Sequence, residues 1–266
     1  VCTLQDEHTW IDGMRETYRD ACWQLLREKS RDITSFIAVS DYYACFMQDK
    51  LDLPEDVIHV VRPALDSQEY LPSSTKPEPP VIGFLSPLST DFGLDMLAEA
   101  FIQLKHEPQM QNVKLKATGG RAPDTTRLLR KLRKRFAREG ILDDVAFLPD
   151  FTQPERIEFL QSLSVLSVPA YAPEAFGFYQ IEAMATGVPV VQPDIGSYSE
   201  IIGTTGGGVT YSPNDAETLA KNLKDLLCDP DKMKKLGDNG RSSVEEHFSL
   251  NRMAEDMLKV YSVSST

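Results

Sequence analysis

The chain has 266 residues, of which 41% are hydrophobic and 26% charged, and its formal net charge is -12. These proportions suit a soluble globular enzyme of one large or two modest domains, while the acidic balance argues against nucleic acid as a main partner, because phosphate backbones select basic surfaces. The four cysteines (Cys2, Cys22, Cys45 and Cys228) have neither metal-site nor redox-motif spacing, which points to a reduced, cytoplasmic protein, and no apolar run reaches the ~18 residues of a membrane span.

Val1 to Leu4 reads as an opening strand. Asp12–Ser30 and Asp41–Lys50 read as helices flanking a strand at Ile33–Val39, with Ser40 or Asp41 suited to the N-cap of the second helix. Val57–Val61 is a further short strand. Arg62 to Pro80 holds five prolines and reads as a linker or extended crossing, since proline cannot continue a helix or an inner strand.

From Val81 the pattern alternates. Strands are expected at Val81–Leu85, Val113–Ala117, Val145–Leu148, Ser164–Val168 and Val188–Val191, separated by helices at Leu94–Leu104, Asp124–Glu139 and Gln153–Leu163. A Gly-rich turn at Gly206–Gly208 precedes helices at Asp215–Cys228, Asp231–Phe248 and Asn251–Val260. Short apolar strands alternating with amphipathic helices predict an α/β fold, a parallel Rossmann-like sheet with helices on both faces. Ligands on such sheets bind beyond the carboxyl ends of the strands.

The stretch Pro173 to Val191 carries the most chemistry. Glu174 precedes a small Gly-containing turn, Glu182 lies eight positions on in a short helix, Gly187 suits the left-handed position that ends it, and Val188–Val191 is a buried strand. A loop feeding a helix start favours an anion such as a diphosphate. Two carboxylates along it can accept hydrogen bonds from the hydroxyls of two sugars, an arrangement suited to a nucleotide diphosphate sugar.

This string strongly resembles the donor-site signature of retaining GT-B glycosyltransferases of family 4. The resemblance implies that Glu174 faces the donor sugar, that Phe176, Gly177 and Phe178 approach sugar and phosphate, and that Glu182 holds the ribose. It places Gly119 and Gly120 beside the diphosphate, with Arg121 as a candidate phosphate ligand there against an ordinary exposed arginine, and Leu148 to Phe151 against the base. Gln5 stands where many members carry a donor-contacting His, and His8 three residues on is a candidate substitute. The family's Arg/Lys pair after the first strand of this domain is absent from Phe84–Asp95, which leaves Ser86, Ser89, Thr90 and Arg121 to meet the diphosphate and puts efficient transfer in doubt.

The implied organisation is a remnant of an acceptor-side domain at 1–62, a linker at 63–80, a nucleotide-sugar-binding domain at 81–248 and a terminal helix at 249–266 crossing back. About 60 residues cannot close a Rossmann domain, so a truncated or naturally reduced form is expected. The implied function is metal-independent retaining transfer of a sugar, without any resident cofactor, to an unknown acceptor: a sugar, a lipid-linked sugar or a small molecule. The alternative is a non-catalytic module that binds a nucleotide sugar or a partner. Asp229-Pro230-Asp231 has a metal-binding form but separates two helices, with Asp231 as an N-cap. Seven basic residues between Arg127 and Arg138 form either a solvated face or a patch for anionic lipid, so peripheral membrane contact is a second expectation beside a cytoplasmic location.

Overall fold

A computed structural model describes residues 1–73, 76–148 and 152–264. The first unit is a three-stranded parallel sheet in the order β1 (Cys2–Leu4), β2 (Phe36–Ala38), β3 (Ile58–Val60). Between β1 and β2 run two helices, α1 (Glu7–Asp12) and α2 (Glu16–Ser30), where one was expected over Asp12–Ser30. Gly13 closes α1, Arg15 turns to an extended ψ of 143°, and the Trp23 indole N–H donates to Asp12 Oδ1 at 2.8 Å to fix the corner. Helix α1 buries only His8 and Ile11, too few positions for a periodicity to be read. The next helix, α3 (Asp41–Leu51), starts as expected, with Ser40 Oγ accepting the Tyr43 N–H.

The second unit is a six-stranded parallel sheet. In chain order its elements are β4 (Val81–Leu85), α4 (Leu94–Lys105), β5 (Lys114–Thr118), α5 (Thr125–Arg138), β6 (Val145–Phe147), α6 (Gln153–Gln161), β7 (Val165–Leu166), α7 (Tyr179–Ala185), β8 (Val190–Pro193), α8 (Tyr198–Thr205), β9 (Gly208–Tyr211) and α9 (Ala216–Leu227). The strands lie in the order β6-β5-β4-β7-β8-β9. Every residue of β4 and β8 is buried, as a strand covered on both faces requires. The strand order reverses between β4 and β7, so their carboxyl ends diverge and open a crevice. Gly187, at φ 73°, follows α7 in the left-handed conformation expected of it.

A further local expectation is corrected. Helix α10 (Pro230–His247) starts one residue early: Pro230 takes the first turn and Asp229, not Asp231, is the cap, its Oδ1 accepting the Lys232 N–H at 2.9 Å. The last helix, α11 (Leu250–Ser264), carries Met253, Met257 and Val260 onto Ile37 and Val61 of the first unit. Nearer the crevice, Ser40 Oγ donates to the Ala175 carbonyl at 2.6 Å, and Glu200 of α8 accepts from the Asp41 and Tyr42 N–H groups and from Arg62. Among the described residues no helix is long and apolar enough to cross a membrane.

Candidate functional site

A cavity of about 510 Å³ sits at the reversal between β4 and β7. Its wall draws on the loop after β4 (Ser86, Pro87), the turn after β5 (Gly119), α6 (Arg156), the loop from Glu174 to Phe178, and Gln5 and Asp6 after β1. Gly119 has φ 128°, and a Cβ there would stand 2.5 Å from both the N and the O of Ser86. The two loops therefore touch backbone to backbone, which no side chain permits.

Glu174 is the centre of a buried hydrogen-bond cluster. Its Oε2 accepts from the Tyr179 hydroxyl at 2.8 Å and from the Tyr198 hydroxyl at 2.9 Å, and the two hydroxyls are 3.0 Å apart. Burial pushes the Glu174 carboxyl above its ordinary range, and the tyrosine hydrogen bonds oppose the shift without cancelling it. Burial, followed by the Glu174 charge, holds both tyrosines well above the usual phenol range, so they stay donors. Gly177, at φ 70°, lets the loop pass the cluster: a Cβ there would lie 2.9 Å from Gln180 Nε2 and 3.0 Å from Glu174 Oε2. Phe176 is buried and Phe178 exposed on the same wall, and Phe176 packs on Phe248 at 5.9 Å between centroids.

Glu182, on α7, is buried. Its Oε1 accepts from Arg156 Nε at 2.7 Å and from the Tyr70 hydroxyl at 2.9 Å, while Oε2 takes Arg156 Nη2 at 2.5 Å. Arg156 lines the cavity and Glu182 does not, so the guanidinium lies on the cavity side of the carboxylate.

Of the other expected site residues, Ser86 and Gly119 line the cavity, whereas Gly120, Arg121, Leu148 and His8 are not in its wall as described. Arg121 is exposed. The Leu148 N–H donates to the Ala117 carbonyl at 2.9 Å, and the remaining base-flanking positions, Pro149, Asp150 and Phe151, lie outside the described residues. His8 is buried against Tyr43 and Phe46, with Nε2 3.3 Å from the Pro173 carbonyl and Nδ1 3.4 Å from Asp6 Oδ1. Sequence reasoning missed Asp6, Tyr70, Arg156 and the two tyrosines on Glu174. Tyr179 stood inside the motif it quoted, but nothing in the string marks which ring meets which carboxylate.

A model of the family described as "Glycosyl transferases group 1" matches residues 66–243, well over half of the chain. The chain belongs to the group 1 glycosyl transferases. Among its relatives are the alpha-maltose-1-phosphate synthase of Mycolicibacterium smegmatis, 29% identical over 79% of this chain and 57% of its own length, and the MMP alpha-(1->4)-mannosyltransferase of Mycolicibacterium hassiacum, 27% identical over 90% and 56%. This glycosyl transferase chain thus spans about half the length of the first relatives it matches.

Solved structures share the fold. Anabaena HepE in complex with UDP-glucose superposes with a TM-score of 0.80 at 20% identity, over 99% of this chain and 71% of that one. The C-terminal domain of the LpcC group 1 protein from Francisella tularensis matches 70% of this chain over 99% of its own, with a TM-score of 0.63. The GT-B likeness thus holds for the fold, with parallel sheets flanked by helices.

Proposed function

We propose that this group 1 glycosyl transferase moves a sugar from a nucleoside diphosphate sugar to an acceptor hydroxyl with retention of configuration, as in family 4. The observation that carries the reading is the cavity at the β4/β7 reversal, where the Glu174 carboxylate, the Phe176-Gly177-Phe178 loop and Ser86 face one space of ligand size. The glycosyltransferase and mannosyltransferase names among the relatives, and the UDP-glucose held by HepE, support a nucleotide-sugar donor.

In this reading Glu174 takes the donor sugar's hydroxyls, and the tyrosine pair fixes the orientation of its carboxylate. The diphosphate lies between Ser86, the Gly119-Gly120 turn and Gly177, with Arg121 at the edge. Glu182 holds the ribose and Leu148 flanks the base. His8 acts at one remove, holding the Pro173 carbonyl and so the start of the Glu174 loop. The acceptor oxygen attacks the anomeric carbon on the face the nucleotide leaves. The bond from that carbon to the β-phosphate oxygen breaks, and the acceptor proton passes to the departing phosphate. No protein nucleophile and no metal is required.

The acceptor is a sugar, a lipid-linked sugar or a small molecule. The exposed basic side of α5 brings the protein to anionic lipid while the chain stays outside the bilayer. The divisions at 62, 80 and 248 are proposed as domain limits around the donor-binding unit.

Calorimetry with UDP, GDP and ADP, followed by a nucleotide-release assay with UDP-glucose and other donors, tests the reading. Binding of at least one nucleoside diphosphate is expected, and Glu174→Ala should keep that binding while losing nucleotide release from the sugar donor. No binding by any of them overturns it, and binding without release under every acceptor tried moves the reading to the non-catalytic module.

A further inference from the structure

The described wall of the cavity holds two carboxylates, Asp6 and Glu174, and one basic side chain, Arg156. The loop after β4 has no Lys or Arg between Ser86 and Gly93, and Arg121 is exposed outside the wall. A diphosphate carries at least two negative charges, and amides and hydroxyls alone would have to hold it against two like-charged carboxylates. We propose that Arg156 binds the donor diphosphate, a conclusion that rests on the nucleotide-sugar reading above.

The geometry of the side chain supports this role. Arg156 presents Nε and Nη2 as a fork to the two oxygens of Glu182, and the same planar fork accepts two phosphate oxygens. It is the fourth residue of α6, and that first turn is pinned by Glu155, which accepts from the Thr152 N–H and hydroxyl, both at 2.8 Å. The base of the side chain is therefore fixed while its head reaches the cavity. The Arg156 side chain is 32% exposed and that of Glu182 is 3% exposed, so an anion entering the cavity meets the guanidinium first.

Turning the fork from Glu182 toward the cavity does not strand the carboxylate, because the Tyr70 hydroxyl still donates to Oε1. It also uncovers Glu182 for ribose hydroxyls. One side-chain movement thus serves both halves of the nucleotide: the cation goes to the diphosphate and the carboxylate to the ribose.

The test is calorimetry of the 266-residue chain with UDP and with uridine at low and moderate salt. Wild type is expected to prefer UDP, with a preference that weakens as salt rises. Arg156→Gln should cut the UDP-to-uridine preference roughly ten- to hundredfold, the range for a hydrogen bond to a charged group, and Arg156→Lys should restore part of it. Because Arg156→Gln removes the cation beside a buried carboxylate for good, leaving it the Tyr70 hydroxyl, and can destabilise the fold, the double variant Arg156→Gln/Glu182→Gln reads the same ratio in a neutral background. An unchanged ratio in these variants overturns the role of Arg156 and leaves the nucleotide reading standing. Wild type that binds none of UDP, GDP and ADP overturns both.

Discussion

Tyr198 and Glu174 meet at 2.9 Å, and the bond ties α8 to the loop that precedes α7. A carboxylate so placed is held by two hydroxyls that remain protonated and is partly withdrawn from water, with one side on the cavity. Its ionisation therefore couples to the stability of the fold.

The pH dependence follows from the direction of that shift. Burial raises the Glu174 carboxyl above its ordinary value of 4.5, so the folded protein keeps a proton that the unfolded chain has already lost. Stability then falls as pH rises from the ordinary value through the raised one, and stays lower above it. Glu174→Gln keeps an oxygen for both tyrosines and removes the charge. The variant should match wild type near pH 4 and exceed it in unfolding midpoint at pH 8. Thermal unfolding at both pH values checks this; a constant offset would show that the carboxyl does not titrate in that range. Nucleotide-sugar turnover should fall in the same variant.

Glu182→Ala should weaken nucleoside diphosphate binding by about 1.5–3 kcal/mol, if its carboxylate accepts ribose hydroxyls. It should also lower stability by about 2–4 kcal/mol, less than for a fully buried pair because Arg156 keeps contact with solvent. Tyr70→Phe removes one hydrogen bond and should cost about 1 kcal/mol. Denaturant titration with parallel calorimetry separates the two effects, and equal nucleotide affinity in wild type and Glu182→Ala would remove Glu182 from the site.

Gly119→Ala should be far more costly than Gly140→Ala. Both glycines have positive φ, 128° and 72°, but a Cβ at Gly119 collides with the Ser86 backbone at 2.5 Å while one at Gly140 meets nothing within 4 Å. The strain alone at Gly140 is worth about 1–2 kcal/mol; the displaced Ser86 loop should add about 1–3 kcal/mol at Gly119 and weaken donor binding. Similar denaturation midpoints for the two variants would mean that the loops can part without loss.

Nucleotide binding should survive chelation of divalent ions. Asp229→Ala should lose about 1 kcal/mol as the cap of α10 is removed, whereas Asp231→Asn should stay within about 0.5 kcal/mol of wild type. A need for magnesium or manganese that disappears in Asp231→Asn would assign this pair to a metal instead.

The alternation of β4 to β8 with α4 to α7 is readable because it depends on short-range signals: apolar runs of strand length, helical spacing of buried residues, and glycines such as Gly187 where the backbone turns left-handed; β9, behind the Gly206–Gly208 turn, is not. The Pro173–Val191 string was readable for the same reason, since its turn, helix and strand succeed one another within 19 residues. Where local signals were weak the reading slipped, as at Gly13, where one helix proved to be two, and at Asp229, where the cap lay two residues before the expected one.

Pairing across the fold was beyond any local pattern. His8 meets Pro173 across 165 positions, Tyr70 meets Glu182 across 112 and Arg156 meets Glu182 across 26. These partners are set by the order of the strands and by the reversal between β4 and β7, which carries the ends of distant segments to one sheet edge. The sequence by itself determined most of the donor-side elements, the group 1 donor string and the two carboxylates in it. Only the tertiary structure decided which of those carboxylates opens onto the cavity and which lies behind an arginine, because burial and hydrogen-bond partners are properties of packed neighbours and not of neighbours in the chain.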